Sequence, residues 1–216
     1  MKSVYTFLLF ASFFVACNSG KKLIAKQETQ QTSLIIQGKL YASAFMQRAA
    51  EYHALCLQAY NFARLRLDVA LIQTSTKPRA IIVDIDETVL DNSADEVHRD
   101  LLGKSFNMED WHQWTAMAAA DTIPGAFSFL KYASSRNVEI FYITNRDEVD
   151  RAGTLQNLQH FGFPNADNAH LLIRLNTSGK EARRQQVMAD HDVILLLGDN
   201  LSDFSMLFDK KYFNIS

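Results

Sequence analysis

Arg79-Ala80-Ile81-Ile82-Val83-Asp84-Ile85-Asp86-Glu87-Thr88 is the stretch on which the fold turns. An unbroken run of β-branched and small apolar residues ends abruptly in acids. Alternation is absent, so both faces of this strand are expected to be covered, as in a parallel sheet packed on either side. Three further short runs rich in Ile, Val and Leu follow at Val138–Thr144, His170–Leu175 and Val193–Gly198. Between them Gly125–Arg136, Glu148–Phe161 and Lys180–Asp190 read as helices. Apolar strands alternating with helices predict an α/β fold.

Each apolar run ends in polar side chains able to do chemistry. Asp84 and Asp86 follow the first, Thr144 and Asn145 the second, and Asp199 and Asp203 the last, while Lys180 opens a helix after the third. In open α/β sheets ligands bind beyond the carboxyl ends of the strands, so all of these residues are expected at one edge. A phosphomonoester explains each type. Asp84 is placed as a nucleophile. Asp86, two residues on, can protonate the leaving alkoxide and then activate water. Mg²⁺ favours oxygen ligands, and Asp84, the backbone carbonyl of Asp86 and Asp199 would supply them, with Asp203 holding a metal-bound water. Thr144, Asn145 and Lys180 are the candidate phosphate contacts.

Upstream, residues 34–78 form an N-terminal helical segment. Phe45, Ala49, Tyr52, Leu55, Ala59, Phe62, Leu65 and Val69 recur at three- and four-residue steps and predict the buried stripe of one long helix or two abutting ones. Cys56 lies in that helix, where packing is its expected role. Residues 92–122 interrupt the strand–helix rhythm, hold both tryptophans, and are read as a small helical cap.

At the N-terminus Lys2 precedes an apolar run from Val4 to Ala16, too short to span a bilayer comfortably but suited to a signal-peptide core. Phe14-Val15-Ala16-Cys17 resembles a bacterial lipobox. The expectation is therefore a signal peptide over 1–16, a lipid on Cys17, and a polar tether over 17–33. That places the chain in the bacterial cell envelope, on the outer membrane, with its catalytic part outside the cytoplasm. The balance of 22 basic against 24 acidic residues leaves no footprint for a nucleic-acid polymer. The six histidines lack ligand spacing, which argues against zinc. The oligomeric state stays open, with a dimer one option.

Asp84-Ile85-Asp86-Glu87-Thr88-Val89-Leu90-Asp91-Asn92-Ser93 and Leu197-Gly198-Asp199-Asn200-Leu201-Ser202-Asp203-Phe204 resemble the two signatures of the class C acid phosphatases, in the haloacid dehalogenase (HAD) superfamily. Glu51–Leu55, Gln58–Asn61, Ile123–Ala126, Thr144-Asn145-Arg146 and Leu158–Phe163 extend the likeness from about residue 45 to 208. The group it resembles most is the 5′-nucleotidase, lipoprotein e family. The resemblance implies a HAD-like, Rossmannoid parallel sheet flanked by helices over 79–216, carrying the cap and the N-terminal helix. It also implies a Mg²⁺-dependent acid phosphatase or 5′-nucleotidase acting on phosphomonoesters, nucleoside monophosphates and nicotinamide mononucleotide among them, through an aspartyl-phosphate. Asp84, Asp86, Asp199 and Asp203 would serve the metal. Phe106 would stack on the substrate base, with Trp111 a second candidate; aromatics in a small cap also commonly pack its core.

Two features depart from the family pattern. Asp95 stands where a tyrosine is usual. Family members also continue past the second signature with another strand and helices, whereas this chain stops at Ser216. The expectation is that the C-terminal part of the fold is missing, and the alternative function is a truncated, non-catalytic surface lipoprotein.

Overall fold

A computed structural model describes residues 34–208. The expected signal peptide, Cys17 and tether lie outside these residues, as does the end of the chain after 208. No helix among the described residues is long and apolar enough to cross a membrane.

The chain enters as two abutting helices, α1 over residues 34–48 and α2 over Ala50–Leu71, broken where Ala49 turns extended. Strand β1 (Arg79–Val83) follows, then the short β2 (Leu90–Asp91) and the cap helices α3 (Ser93–Leu101) and α4 (Met108–Met117). The two-residue β3 (Asp121–Thr122) pairs antiparallel with β2 and closes this excursion. Then α5 (Ala126–Ser135), β4 (Val138–Ile143), α6 (Arg151–Phe161), β5 (Leu171–Leu172), α7 (Glu181–Asp190) and β6 (Asp192–Leu197) alternate. The main sheet has the order β5-β4-β1-β6, and every pairing is parallel.

β1 is central, which is why its sequence is continuously apolar. Period-two geometry sends Ile81 and Val83 to one face, where they join Tyr60, Ala63 and Leu67 of α2, Phe129, Leu130 and Ala133 of α5, and Leu158 of α6. Ala80 and Ile82 face the other way, with Phe141, Ile143 and Val187 of α7. Each fully buried Ile, Leu or Val contributes about 1.5–3 kcal/mol. β6 stands at the free edge of the sheet among the described residues, and all six of its residues are only half-buried.

The face of α2 differs from the expectation. Leu55, Phe62, Leu65 and Val69 are exposed, Phe62 by 63%, while Tyr60, Ala63 and Leu67 carry the packing. The helix is apolar on two sides, and the side that fits against α5 and β6 is the one with small Ala63. Cys56 sits half-buried on that inner side. The third expected strand, over 170–175, shrinks to Leu171–Leu172.

The cap is fastened to the body by backbone as well as side chains. A Cβ on Gly153 of α6 would lie 2.1 Å from the Thr115 carbonyl oxygen, so only glycine lets α4 and α6 approach so closely. The Thr115 hydroxyl donates to Asp150 Oδ1 at 2.6 Å, and His112 Nδ1 lies 2.8 Å from the same oxygen. Asn157 of α6 receives the Ala120 N–H at 3.0 Å and donates to the Ala120 carbonyl at 2.9 Å.

Candidate active site

The order of the sheet creates the crevice. From β1 the chain moves outward to β4 and β5, then crosses back to place β6 on the other side of β1. The carboxyl end of β1 therefore opens between two strands whose connections run in opposite directions, the usual location of a ligand in such sheets.

Asp84 sits there, 8% exposed, its N–H donating to the Leu197 carbonyl of β6 at 2.9 Å. After Asp86 the chain turns sharply, with Glu87 in the left-handed region at φ 57° and the N–H groups of Val89 and Leu90 both donating to the Ile85 carbonyl. This tight loop aims both aspartates into the crevice. Lys180, the residue before α7, reaches in from the next strand–helix junction. Its Nζ donates to Asp84 Oδ1 at 2.5 Å and to Asp203 Oδ1 at 2.6 Å, and all three side chains are buried. Asp203 is fixed in turn by the Asn200 N–H, which donates to its Oδ2 at 3.0 Å. A Cβ on Gly198 would fall 2.4 Å from both Cβ and Oδ2 of Asp203, so the loop after β6 closes only over glycine. Asp199, exposed at the mouth, completes a group with Asp84 and Asp203 whose carboxylate oxygens lie within 4.8 Å of one another.

The electrostatics are lopsided. Burial pushes the Asp84 carboxyl well above the usual carboxylate range; Lys180 opposes this, and Asp203 and Asp86 add to it. Asp199, open to solvent on one side only, is also raised, by desolvation on its inner side and then by Asp203. Glu87, facing inward beside Asp86, is pushed up to about 8, chiefly by burial and then by the Asp86 charge. One ammonium does not balance this many acids, and a cation among Asp84, Asp199 and Asp203 would. The donor set is all oxygen, with no His or Cys, which fits a hard divalent ion.

Thr144, at the end of β4, is fully buried; its hydroxyl donates to Asp86 Oδ2 at 3.3 Å and receives the Arg146 N–H at 3.1 Å. Asn145 is exposed, and its Oδ1 receives Arg183 Nη2 at 2.8 Å. Phe106 and Trp111 sit together in the cap with ring centroids 6.1 Å apart. Trp111 stands over the Arg146 guanidinium at 5.5 Å, whereas Phe106 is 55% exposed and meets Arg99 at 5.3 Å.

Four residues given no role in the sequence reading hold this arrangement. Arg146 makes a forked contact with Asp86. Asn92 donates to Asp86 Oδ1 at 2.9 Å and receives the Trp114 indole N–H at 2.9 Å. Arg183 donates to the Thr144 carbonyl, and Arg184 to the carbonyls of Ser202 and Asp203. Arg183 and Arg184 are 4% and 3% exposed, unusually buried for arginine. They tie the first turn of α7 to the two loops that carry Thr144 and Asp203. Asp95 is buried in an ion pair with Arg99 at 2.9 Å.

The sequence pattern of the family described as "HAD superfamily, subfamily IIIB (Acid phosphatase)" matches residues 9–214. The chain belongs to this acid phosphatase family. The class C acid phosphatase from Bacillus anthracis is 40% identical, with a TM-score of 0.77 over 80% of this chain and 73% of that one. The same enzyme with tungstate bound gives 41% identity and a TM-score of 0.76, covering 79% and 72%. This acid phosphatase is thus a phosphomonoester hydrolase on a HAD-like α/β scaffold, and its acidic clusters are of a kind that can hold a metal ion.

Proposed function

We propose that this acid phosphatase hydrolyses nucleoside monophosphates and related phosphomonoesters, with Mg²⁺, through an aspartyl-phosphate on Asp84. The observation that carries the reading is Lys180 Nζ lying between the buried carboxylates of Asp84 and Asp203, with Asp199 beside them. Such a site holds a nucleophile in place and supplies positive charge where a phosphoryl group would arrive.

Asp84, Asp199 and Asp203, with the carbonyl of Asp86, are the residues that would hold Mg²⁺. The ion would supply charge to offset the phosphoryl oxygens and the crowded acids. Asp84 attacks phosphorus. The P–O bond to the leaving group breaks as Asp86 gives that oxygen its proton. Asp86, now a carboxylate, takes a proton from water as the water attacks the phosphorus; the P–O bond to Asp84 breaks and inorganic phosphate leaves, which restores both residues. Lys180 and the Thr144 hydroxyl bind the non-bridging oxygens, and the exposed Asn145 side chain stands at the rim of that pocket. Phe106 and Trp111 form an apolar rim that suits a flat, aromatic leaving group. The hydrolysis of p-nitrophenyl phosphate and a nucleoside 5′-monophosphate, with Mg²⁺ and with EDTA, tests this. Turnover that survives EDTA or Asp84→Asn would sink it.

We also propose that a lipid on Cys17 holds the chain on the outer membrane, catalytic part outside the cytoplasm; the support is the Val4–Ala16 run and the Phe14-Val15-Ala16-Cys17 sequence. Incorporation of labelled fatty acid that persists in Cys17→Ser would refute this.

A further inference from the structure

We propose that Arg146 is a positioning residue that sets the geometry of Asp86, so that one carboxyl oxygen alone is presented to the leaving group. This rests on Asp86 acting as the acid and base. The contacts on its two oxygens are unequal. Asp86 Oδ1 receives Arg146 Nη2 at 2.8 Å, Arg146 Nε at 3.0 Å and Asn92 Nδ2 at 2.9 Å. Oδ2 has only two long contacts, Thr144 Oγ1 at 3.3 Å and Arg146 Nε at 3.4 Å. Three good donors fill the acceptor capacity of Oδ1, and the proton to be transferred belongs on Oδ2.

The arginine is itself held. Its side chain is 2% exposed against 24% for Asp86, so the guanidinium is the buried partner and the carboxyl the one facing the crevice. Nη1 donates to the Thr154 hydroxyl at 2.9 Å, and that hydroxyl donates to the Asp150 carbonyl at 2.7 Å. Nη2 also approaches Asn92 Oδ1 at 3.4 Å, and Trp111 covers the planar group. A guanidinium braced this way is a rigid fork, and a carboxyl gripped by a fork has no freedom to rotate. Lysine, a single point charge on a flexible stem, cannot reproduce it.

Leaving groups respond to this unequally. An alkoxide needs the proton from Asp86 Oδ2 as the P–O bond breaks, whereas p-nitrophenolate departs without one. Loss of Arg146 therefore slows the first step, phosphoryl transfer to Asp84, selectively for alkyl phosphates. The experiment measures kcat and KM for p-nitrophenyl phosphate, phenyl phosphate and glycerol phosphate with the wild-type chain, Arg146→Ala, Arg146→Lys and Arg146→Gln, and Asp86→Asn as comparator. Expected for each Arg146 variant is a fall in kcat/KM, which reports phosphoryl transfer and not the later hydrolysis shared by all esters, of roughly 10²-fold on glycerol phosphate and under about tenfold on p-nitrophenyl phosphate. Added guanidinium is expected to restore part of the glycerol phosphate kcat/KM in Arg146→Ala.

An equal fall in kcat/KM on all three esters overturns the proposal in favour of a phosphate contact. Failure of all three variants to melt cooperatively overturns it in favour of a structural role. Asp86→Asn separates this from the reading beneath it. Should that variant show no steeper dependence on the leaving group, the acid role of Asp86 fails, whatever Arg146 does.

Discussion

Replacing Asp84, the proposed nucleophile, should stabilise the metal-free protein, and the amount should depend on pH in a defined way. In the folded chain the Asp84 carboxyl is raised from 3.8 to about 7, by burial first, with Lys180 opposing. Between those values the folded state keeps a proton that the unfolded state has released. Stability therefore falls as pH rises through that window and is flat outside it. About three units at 1.36 kcal/mol each set a ceiling near 4 kcal/mol on the penalty above pH 7. Asp84→Asn removes the charge at nearly constant shape and leaves Lys180 paired with Asp203, at the cost of one hydrogen bond to an ionised partner. In EDTA at pH 8 the variant should be more stable than wild type by about 1–3 kcal/mol after that loss. For a domain of this size the gain is roughly 2–12 °C in melting temperature. At pH 4, the lower end of that window, the difference should vanish or reverse, because Asp84 is then protonated in the folded chain and still about half protonated in the unfolded one. With Asp84 among the proposed Mg²⁺ ligands, excess Mg²⁺ should favour the wild type. Thermal melts at pH 4, 6 and 8, with EDTA and with Mg²⁺, read all of this. A difference that does not change with pH, or a variant less stable than wild type at pH 8 in EDTA, would refute the argument.

Lys180→Met should leave two buried carboxylates without their ammonium, costing roughly 3–5 kcal/mol in EDTA at pH 8 and less with Mg²⁺, and should cut kcat/KM by about 10²–10³-fold; melts and steady-state kinetics check both. Gly198→Ala places a Cβ 2.4 Å from Asp203, so the Mg²⁺ concentration for half-maximal activity should rise roughly 10- to 100-fold. An unchanged activation curve would mean that Asp203 has no part in holding the ion. Phe106→Ala should raise KM for a nucleoside monophosphate by an amount worth about 1–3 kcal/mol and leave glycerol phosphate unaffected.

The sheet and the acids were legible for one reason. A parallel strand buried on both faces must be apolar throughout, and the polar residues that break it fall at the same end each time. Asp84, Thr144 and Asp199 could be placed from that alone. The burial of α2 could not, because Leu55, Phe62 and Leu65 on one side and Tyr60, Ala63 and Leu67 on the other satisfy the same helical spacing. What selects between them is the fit against α5 and β6, which local sequence does not contain. The arginines were hidden for a different reason. Arg146, Arg183 and Arg184 are charged residues that ordinarily lie on the surface, and their partners Asp86, Thr144 and Asp203 are far along the chain. Asn92 was quoted within the first signature, but only its bonds to Asp86 and Trp114 give it a task.

The close approach at Gly153 has a kinetic consequence. With the Thr115 carbonyl pressed against α6, and Asp150 and Asn157 bonded across the same seam, the cap cannot swing away without breaking backbone contacts. It is a fixed awning rather than a door. Binding then requires no swing of the cap, and where chemistry limits turnover, kcat should be indifferent to solvent viscosity. New leaving groups are then accommodated by exchanging side chains along a stationary rim.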